Sequence, residues 1–206
     1  MLLKGLFKLT TNHCFYTLIS RMKYITRWTL MRNSTQENIQ EHSHMVAVIA
    51  HALAVIRRDV FNGSADPNFA ATIALFHDSS EIFTGDLPTP IKYYDLEIME
   101  AYKKVESVAS SKLLKSLPLE LRPAYNKILS PDCDNDMLVL VKAADRLSAY
   151  IKCIEELKAG NLEFRLAAEQ SKDKLIKMNI PEVEYFIEHF IPAFELTLDD
   201  LDFSFE

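Results

Sequence analysis

Two histidines and two aspartates stand on apolar helical stripes, where ionisable groups are out of place: His42, the dipeptide His77-Asp78, and Asp145. An inward imidazole or carboxylate is costly to bury unless something cationic compensates it. A divalent metal ion is the simplest compensation. Two imidazoles and two carboxylates form a mixed nitrogen and oxygen donor set. Such a set suits Co²⁺ or Mn²⁺ first, with Zn²⁺, Fe²⁺ or Cu²⁺ as alternatives. No thiolate belongs to the group, so a closed structural zinc site does not fit. Glu81 follows His77 by four residues and Asp78 by three, which on one helix places it on their face. A carboxyl there can exchange a proton with water or with a leaving oxygen.

The elements that must position these groups are helices. Asp66 as N-cap and Pro67 at the first helical position open an apolar helix, and Gly85, Pro88 and Pro90 close it. Asn38 with Glu41 three residues on forms a capping-box pattern for a helix to about Arg58. Advancing 100° per residue from His42, Val46, Ile49, Leu53 and Ile56 fall within about 40° of it. His42 is therefore expected in the core, with His44 and His51 facing water. Asp134 or Asn135 is the expected cap of a helix to Ala159 that carries Asp145 beside Leu138, Val141 and Ala149. Other helices are expected over about 13–23, 95–116, 119–129, 162–178 and 181–192. The 95–116 helix has Ile98, Ala101, Val105, Val108 and Ala109 as its buried stripe. Period-2 strands of convincing length, internal repeats and low-complexity linkers are not found. The pattern predicts an all-α, single-domain helical bundle over 1–206, with 1–12 a flexible basic extension and 199–206 a peripheral acidic tail.

Composition narrows the chemistry. The chain has 206 residues, 49% of them hydrophobic, enough for a sizeable core. It holds four glycines, at positions 5, 63, 85 and 160. That spacing leaves no glycine-rich dinucleotide fingerprint and no phosphate-cradling loop. No Gly-x-Ser-x-Gly elbow is present. Any phosphate must be held by side chains or a metal. Cys14, Cys133 and Cys153 are scattered and read as reduced thiols of a cytoplasmic protein. No apolar run is read as approaching the ~20 residues of a membrane span, and the opening stretch is too short and interrupted for a signal peptide. The net charge of −6 speaks against non-specific nucleic-acid binding. Before Glu37, however, every charged residue is basic, and Arg27 could serve a small anion with its planar fork.

The order His42…His77-Asp78…Asp145 resembles the signature of the HD-domain phosphohydrolases, an all-helical superfamily. More narrowly, Arg27-Trp28-x-Leu-Met-Arg-Asn, Glu41-His42-Ser43, His77-Asp78-x-Ser-Glu81 and Gly85-Asp86-Leu-Pro-Thr-Pro90 resemble the bacterial HD-domain 5′-deoxynucleotidases of the YfbR type. The similarity runs from about His13 to the end of the last helix. It implies an HD-domain helical bundle that hydrolyses deoxyribonucleoside 5′-monophosphates to deoxynucleoside and phosphate. It implies His42, His77, Asp78 and Asp145 as ligands of one divalent ion and Glu81 as the catalytic carboxylate. Arg27 and Asp78 join Glu81 in the chemistry. Arg27, Trp28, Asp78, Asp86, Leu87, Pro88, Thr89 and Asp145 face the substrate. The implied assembly is a homodimer, with no nucleic-acid or membrane partner. Thr29, Ser79 and Arg146 depart from the residues common in that pattern, and none occupies a ligand position. Three rivals remain at this level: another HD hydrolase acting on triphosphates or cyclic nucleotides, a catalytically silent helical interaction module, and a nuclease.

Overall fold

A computed structural model describes residues 13–92, 94–132 and 136–201. Ten α-helices lie among them: α1 (Phe15–Ile19), α2 (Ile39–Val55), α3 (Pro67–Phe76), α4 (Glu81–Thr84), α5 (Thr89–Lys92), α6 (Leu96–Lys115), α7 (Arg122–Leu129), α8 (Asp136–Lys158), α9 (Arg165–Lys177) and α10 (Pro181–His189). The described residues contain no strand, only one antiparallel bridge between Thr26 and Asn38. The fold is all-α, as expected. The cap expected at Asp134 or Asn135, the extension 1–12 and the tail end 202–206 fall outside the described residues.

The core is the meeting of α2, α3 and α8, closed by α9 and α10. The start of α2 is set by the expected capping box. Asn38 Oδ1 accepts from the backbone N–H of Gln40 and Glu41, both at 3.0 Å, and Glu41 Oε2 accepts from Asn38 N at 3.3 Å. Val46, Ile49, Leu53 and Ile56 are buried with His42, while His44 and His51 are exposed. The helix continues as a π-helical turn over Ile56–Val60. One expectation fails here. Ile39–Val60, 22 residues, is long and apolar enough by length and composition to cross a membrane. Its apolar side is spent inside the protein against α3 and α8, as in the core helix of a globular domain.

Three further expectations are corrected. The helix expected to run unbroken from Pro67 to Gly85 stops at Phe76, turns through 77–80 and resumes as α4. The cause is local. Ala74 O accepts from His77 Nδ1 at 2.7 Å and from His77 N at 3.4 Å, so that carbonyl is already engaged where an α-helix would use it for Asp78 N. Glu81 N then bonds Asp78 O at 3.0 Å, an i→i+3 step. The first helix is short, with a 3₁₀ turn over Met22–Tyr24 replacing its second half. On α6 only Ala109 of the five stripe residues is buried, together with Leu113; Ile98, Ala101, Val105 and Val108 are exposed. The C-terminal half packs into a small second cluster with Phe15, Leu117, Phe76 and Tyr125, and nothing in the chain covers the N-terminal half of the stripe among the described residues.

Candidate active site

The site forms where the first turn of α2, the turn after α3 and the middle of α8 come together. His42 has no exposed surface. Its Nδ1 lies 3.1 Å from Ser148 Oγ and its Nε2 lies 3.0 Å from Asp145 Oδ1. Ser148 and Asp145 are one turn apart on α8, so a single helix face grips both sides of the ring. His77 donates Nδ1–H to Ala74 O, which turns its Nε2 toward His42. The two imidazole centroids are 5.3 Å apart. His77 Nε2 is buried and makes no hydrogen bond, although Asp78 Oδ2 is 3.1 Å away as an ion-pair neighbour. The same Asp78 oxygen is 3.6 Å from His42 Nε2 and accepts from Arg27 Nη1 at 3.3 Å.

This arrangement fits a cation. One ligand atom each from His42, His77 and Asp145 lies within 4.8 Å of the others. Asp78 borders both imidazoles. The remaining nitrogen of each ring is anchored, on Ser148 Oγ for His42 and on Ala74 O for His77. That is the outer support which aims a histidine at a metal. His77 Nε2 is buried with no well-formed hydrogen bond and has the Asp78 carboxylate as its charged neighbour. These residues could hold a metal ion of the nitrogen- and oxygen-preferring kind.

The electrostatics agree. Burial opposes a charged His77, but Asp78 outweighs it and pushes the imidazole up to about 9. Burial works to raise Asp78, yet His77, His42 and Arg27 hold it well below the usual carboxylate range. Desolvation likewise works against ionised Asp145, and the hydrogen bond and charge of His42 overcome it. Two carboxylates thus stay ionised beside His77, whose proton balances part of their charge, a burden that a divalent ion removes.

Glu81 opens α4 and is 5% exposed. The break in the helix does not carry it away from the site, because the i→i+3 turn keeps it within reach of the Asp78 charge. Burial first, then Asp78 and Asp86, pushes its carboxyl up to about 9. Its Oε2 is buried without a hydrogen-bond partner. Gly85 then bends the chain with φ 72° and ψ 167°, a conformation open to glycine alone. Beyond it, Asp86 is raised by burial, with Arg27 and the Trp28 N–H opposing. Leu87 and Pro88 are partly buried in the same loop; the side chain of Thr89 lies outside the described residues.

Arg27 and Trp28 arrive on the segment before α2. Burial acts against the Arg27 charge, but Asp78 and Glu37 raise its pKa further. Arg27 Nε donates to Glu37 Oε2 at 3.1 Å, and Trp28 Nε1 donates to the same oxygen at 3.0 Å. Trp28 packs on Phe164, ring centroids 5.4 Å apart. Arg146 is exposed, pointing away from the buried ligand face of α8.

Of the expected site residues, Arg27, Trp28, His42, His77, Asp78, Glu81, Asp86 and Asp145 are linked to one another by hydrogen bonds, ion pairs or mutual charge, and Leu87 and Pro88 follow Asp86 on the same loop. Two participants were missed by sequence reading. Glu37 looked like part of a polar connector, and its only signal was its place directly before the Asn38 cap. Ser148 was not singled out at all; its signal was its spacing of three from Asp145.

Comparison with known proteins gives the same picture. The family model described as "5′-deoxynucleotidase YfbR-like" matches residues 14–194. The chain is 48% identical over 188 residues to a 5′-deoxynucleotidase of Photobacterium profundum, covering 91% of this chain and 97% of that protein. It is 47% identical to one of Vibrio parahaemolyticus over the same shares. Among solved structures, it resembles an HD-domain phosphohydrolase of Listeria innocua with a TM-score of 0.76 at 22% identity, covering 88% of each chain. It also resembles the cyanophage S-2L HD phosphohydrolase, solved bound to dA and one catalytic Zn²⁺ ion, with a TM-score of 0.58 at 21% identity, covering 86% of this chain and 96% of that one.

Proposed function

This chain belongs to the YfbR-like 5′-deoxynucleotidase family, and from that premise we propose that it hydrolyses deoxyribonucleoside 5′-monophosphates to deoxynucleoside and phosphate with one divalent ion. The observation that carries the reading is the convergence of His42, His77 and Asp145 within 4.8 Å, next to a buried carboxyl and a paired arginine. His42, His77, Asp78 and Asp145 are the proposed ligands, and Co²⁺ or Mn²⁺ the favoured ions. Held there, the ion supplies Lewis-acid charge that offsets the phosphate dianion and makes water acidic enough to attack.

The protein's own groups do the rest. Arg27 meets the phosphate oxygens; with Nε on Glu37 and Nη1 on Asp78, its Nη2 edge is the one left to point at substrate. The water oxygen bonds to phosphorus as the bond from phosphorus to the 5′-oxygen breaks. That oxygen needs a proton to leave as an alcohol; Glu81, kept in its acid form by burial, can supply it and regain one from the water that has attacked. Asp86, Trp28, Leu87, Pro88 and Thr89 are proposed to face the sugar and base, and Asp78 and Asp145 the phosphate side.

The homodimer implied by the family is proposed to use the uncovered α6 stripe of Ile98, Val105 and Val108. A cytoplasmic location, with no membrane or nucleic-acid partner, is part of the same reading. The test is a phosphate-release panel with deoxy- and ribonucleoside 5′-monophosphates, triphosphates and cyclic nucleotides, each with several divalent ions. Release confined to deoxyribonucleoside monophosphates supports the reading; turnover of triphosphates or cyclic nucleotides alone replaces it with the rival HD hydrolase.

A further inference from the structure

We propose that Glu37 is the positioning residue of the phosphate arm, holding Arg27 and Trp28 on one carboxylate oxygen in register with the ligand His42. The inference rests on the functional reading above in giving Arg27 a phosphate to meet. Glu37 Oε2 accepts from Arg27 Nε at 3.1 Å and from Trp28 Nε1 at 3.0 Å. Two adjacent side chains that would otherwise diverge are thereby brought to one point. The backbone repeats the link: Arg27 N donates to Glu37 O at 2.9 Å, and Thr26 bridges Asn38. Glu37 directly precedes the cap of α2, so the box that starts that helix also fixes the carboxylate relative to His42. Its other oxygen, Oε1, is 4.0 Å from His42 Nδ1.

The cost of this arrangement shows that it is imposed. Trp28 has φ 57°, a left-handed conformation that a bulky residue avoids. Such a residue is strained and persists only where its surroundings over-determine it. The surroundings are the Glu37 bond to its indole, the Phe164 ring, and Asn33 Nδ2 donating to Trp28 O at 3.1 Å. Arg27 gains from the same oxygen. A free arginine would spread over many rotamers, whereas Glu37 and Asp78 take Nε and Nη1 and leave Nη2 as the remaining donor of the fork. A phosphate then meets a guanidinium already in place, and the ordering cost is met on folding rather than on binding.

Trp28 is the chain's one tryptophan, so its fluorescence reports this arm directly. The experiment compares wild type with Glu37→Ala, Glu37→Gln, Arg27→Ala and the double variant Arg27→Ala/Glu37→Ala, all loaded with Mn²⁺. Thermal melting checks the fold, and Glu37→Gln, which keeps size and an acceptor, covers the case in which the alanine variant unfolds. Glu37→Ala is expected to lower kcat/KM for a deoxyribonucleoside monophosphate by about 100-fold, the effect of an ångström-scale misplacement. It is also expected to raise acrylamide quenching of Trp28. Glu37→Gln is expected to fall between wild type and Glu37→Ala in both readouts. The double variant should lose much less than the product of the two single losses, because Glu37 acts largely through Arg27. Wild-type kcat/KM and quenching in Glu37→Ala would overturn the proposal, as would fully additive losses in the double variant. If wild-type protein releases no phosphate from any deoxynucleotide, the functional reading has failed instead, and the quenching comparison still decides whether Glu37 holds the arm.

Discussion

Glu81 shows at the scale of one residue what sequence could and could not say. Its spacing from His77 placed it at the site, and it is there, buried beside Asp78 and Asp86. The reason given, a shared face of one unbroken helix, was wrong, because His77 caps its own helix by bonding Ala74 O. Spacings of three and four survive a 3₁₀ turn well enough to keep the neighbours together. His42 and Asp145 were legible for a firmer reason, being polar on stripes whose other named members are apolar; the His42 stripe is buried as read, whereas beside Asp145 only Val141 is fully buried, with Leu138 and Ala149 partly so. Glu37 was not legible, because a lone acid in a polar connector carries no period. Replacement of Glu81 by Gln keeps the size and removes the proton. We expect that variant to fold and bind metal as wild type does, while kcat for a deoxyribonucleoside monophosphate drops at least about 100-fold. Single-turnover phosphate release measures it, and an undiminished rate removes Glu81 from the proton transfer.

Among the elements, the helix starts were read from caps and the departures came where packing overrode pattern. The Asn38 and Asp95 caps stand as expected, the latter with Asp95 Oδ1 accepting from Ile98 N at 2.7 Å. The segment between Arg27 and Glu37 carried no periodic signal, yet it is tightly held. Glu156 on α8, 1% exposed, accepts from Ser34 N and Oγ at 2.9 and 2.7 Å, from Asn161 Nδ2 at 2.8 Å, and from the Lys152 ammonium. Desolvation works to raise this carboxyl, and the Lys152, Ser34 and Asn161 bonds overcome it and hold it well below its usual value of 4.5. The sign follows from linkage: a folded-state pKa below the unfolded one gives stability that is present above the unfolded value and lost as pH falls through the folded one. Breaking such a buried pair from one side costs about 3–5 kcal/mol. Glu156→Ala should therefore melt well below wild type at pH 7. The gap between the two should narrow as pH drops below about 4.5, the ordinary glutamate range. Melting curves from pH 7 to pH 3 test this; a gap independent of pH would remove Glu156 as the anchor of the segment.

For the whole molecule, composition and pattern foretold an all-helical fold, and the described residues form one. The surprise lies on its surface, where Ile98, Ala101, Val105 and Val108 of the α6 stripe stay exposed among the described residues. A periodic apolar stripe says that a face will be buried, and it does not say by what. Val105→Glu combined with Val108→Glu places two charges on that face. We expect sedimentation to show a dimer for wild type and a monomer for this variant; a wild-type monomer at all concentrations assigns the stripe no such role. The central claim is that the His42, His77, Asp78 and Asp145 cluster binds one ion on which hydrolysis depends. Calorimetric titration of chelator-stripped protein with Mn²⁺, read beside phosphate release from a deoxyribonucleoside 5′-monophosphate, tests it most directly. The account predicts one ion per chain, activity that returns in step with occupancy, and neither in His77→Ala. Full activity in the stripped protein, or equal binding in His77→Ala, would contradict it.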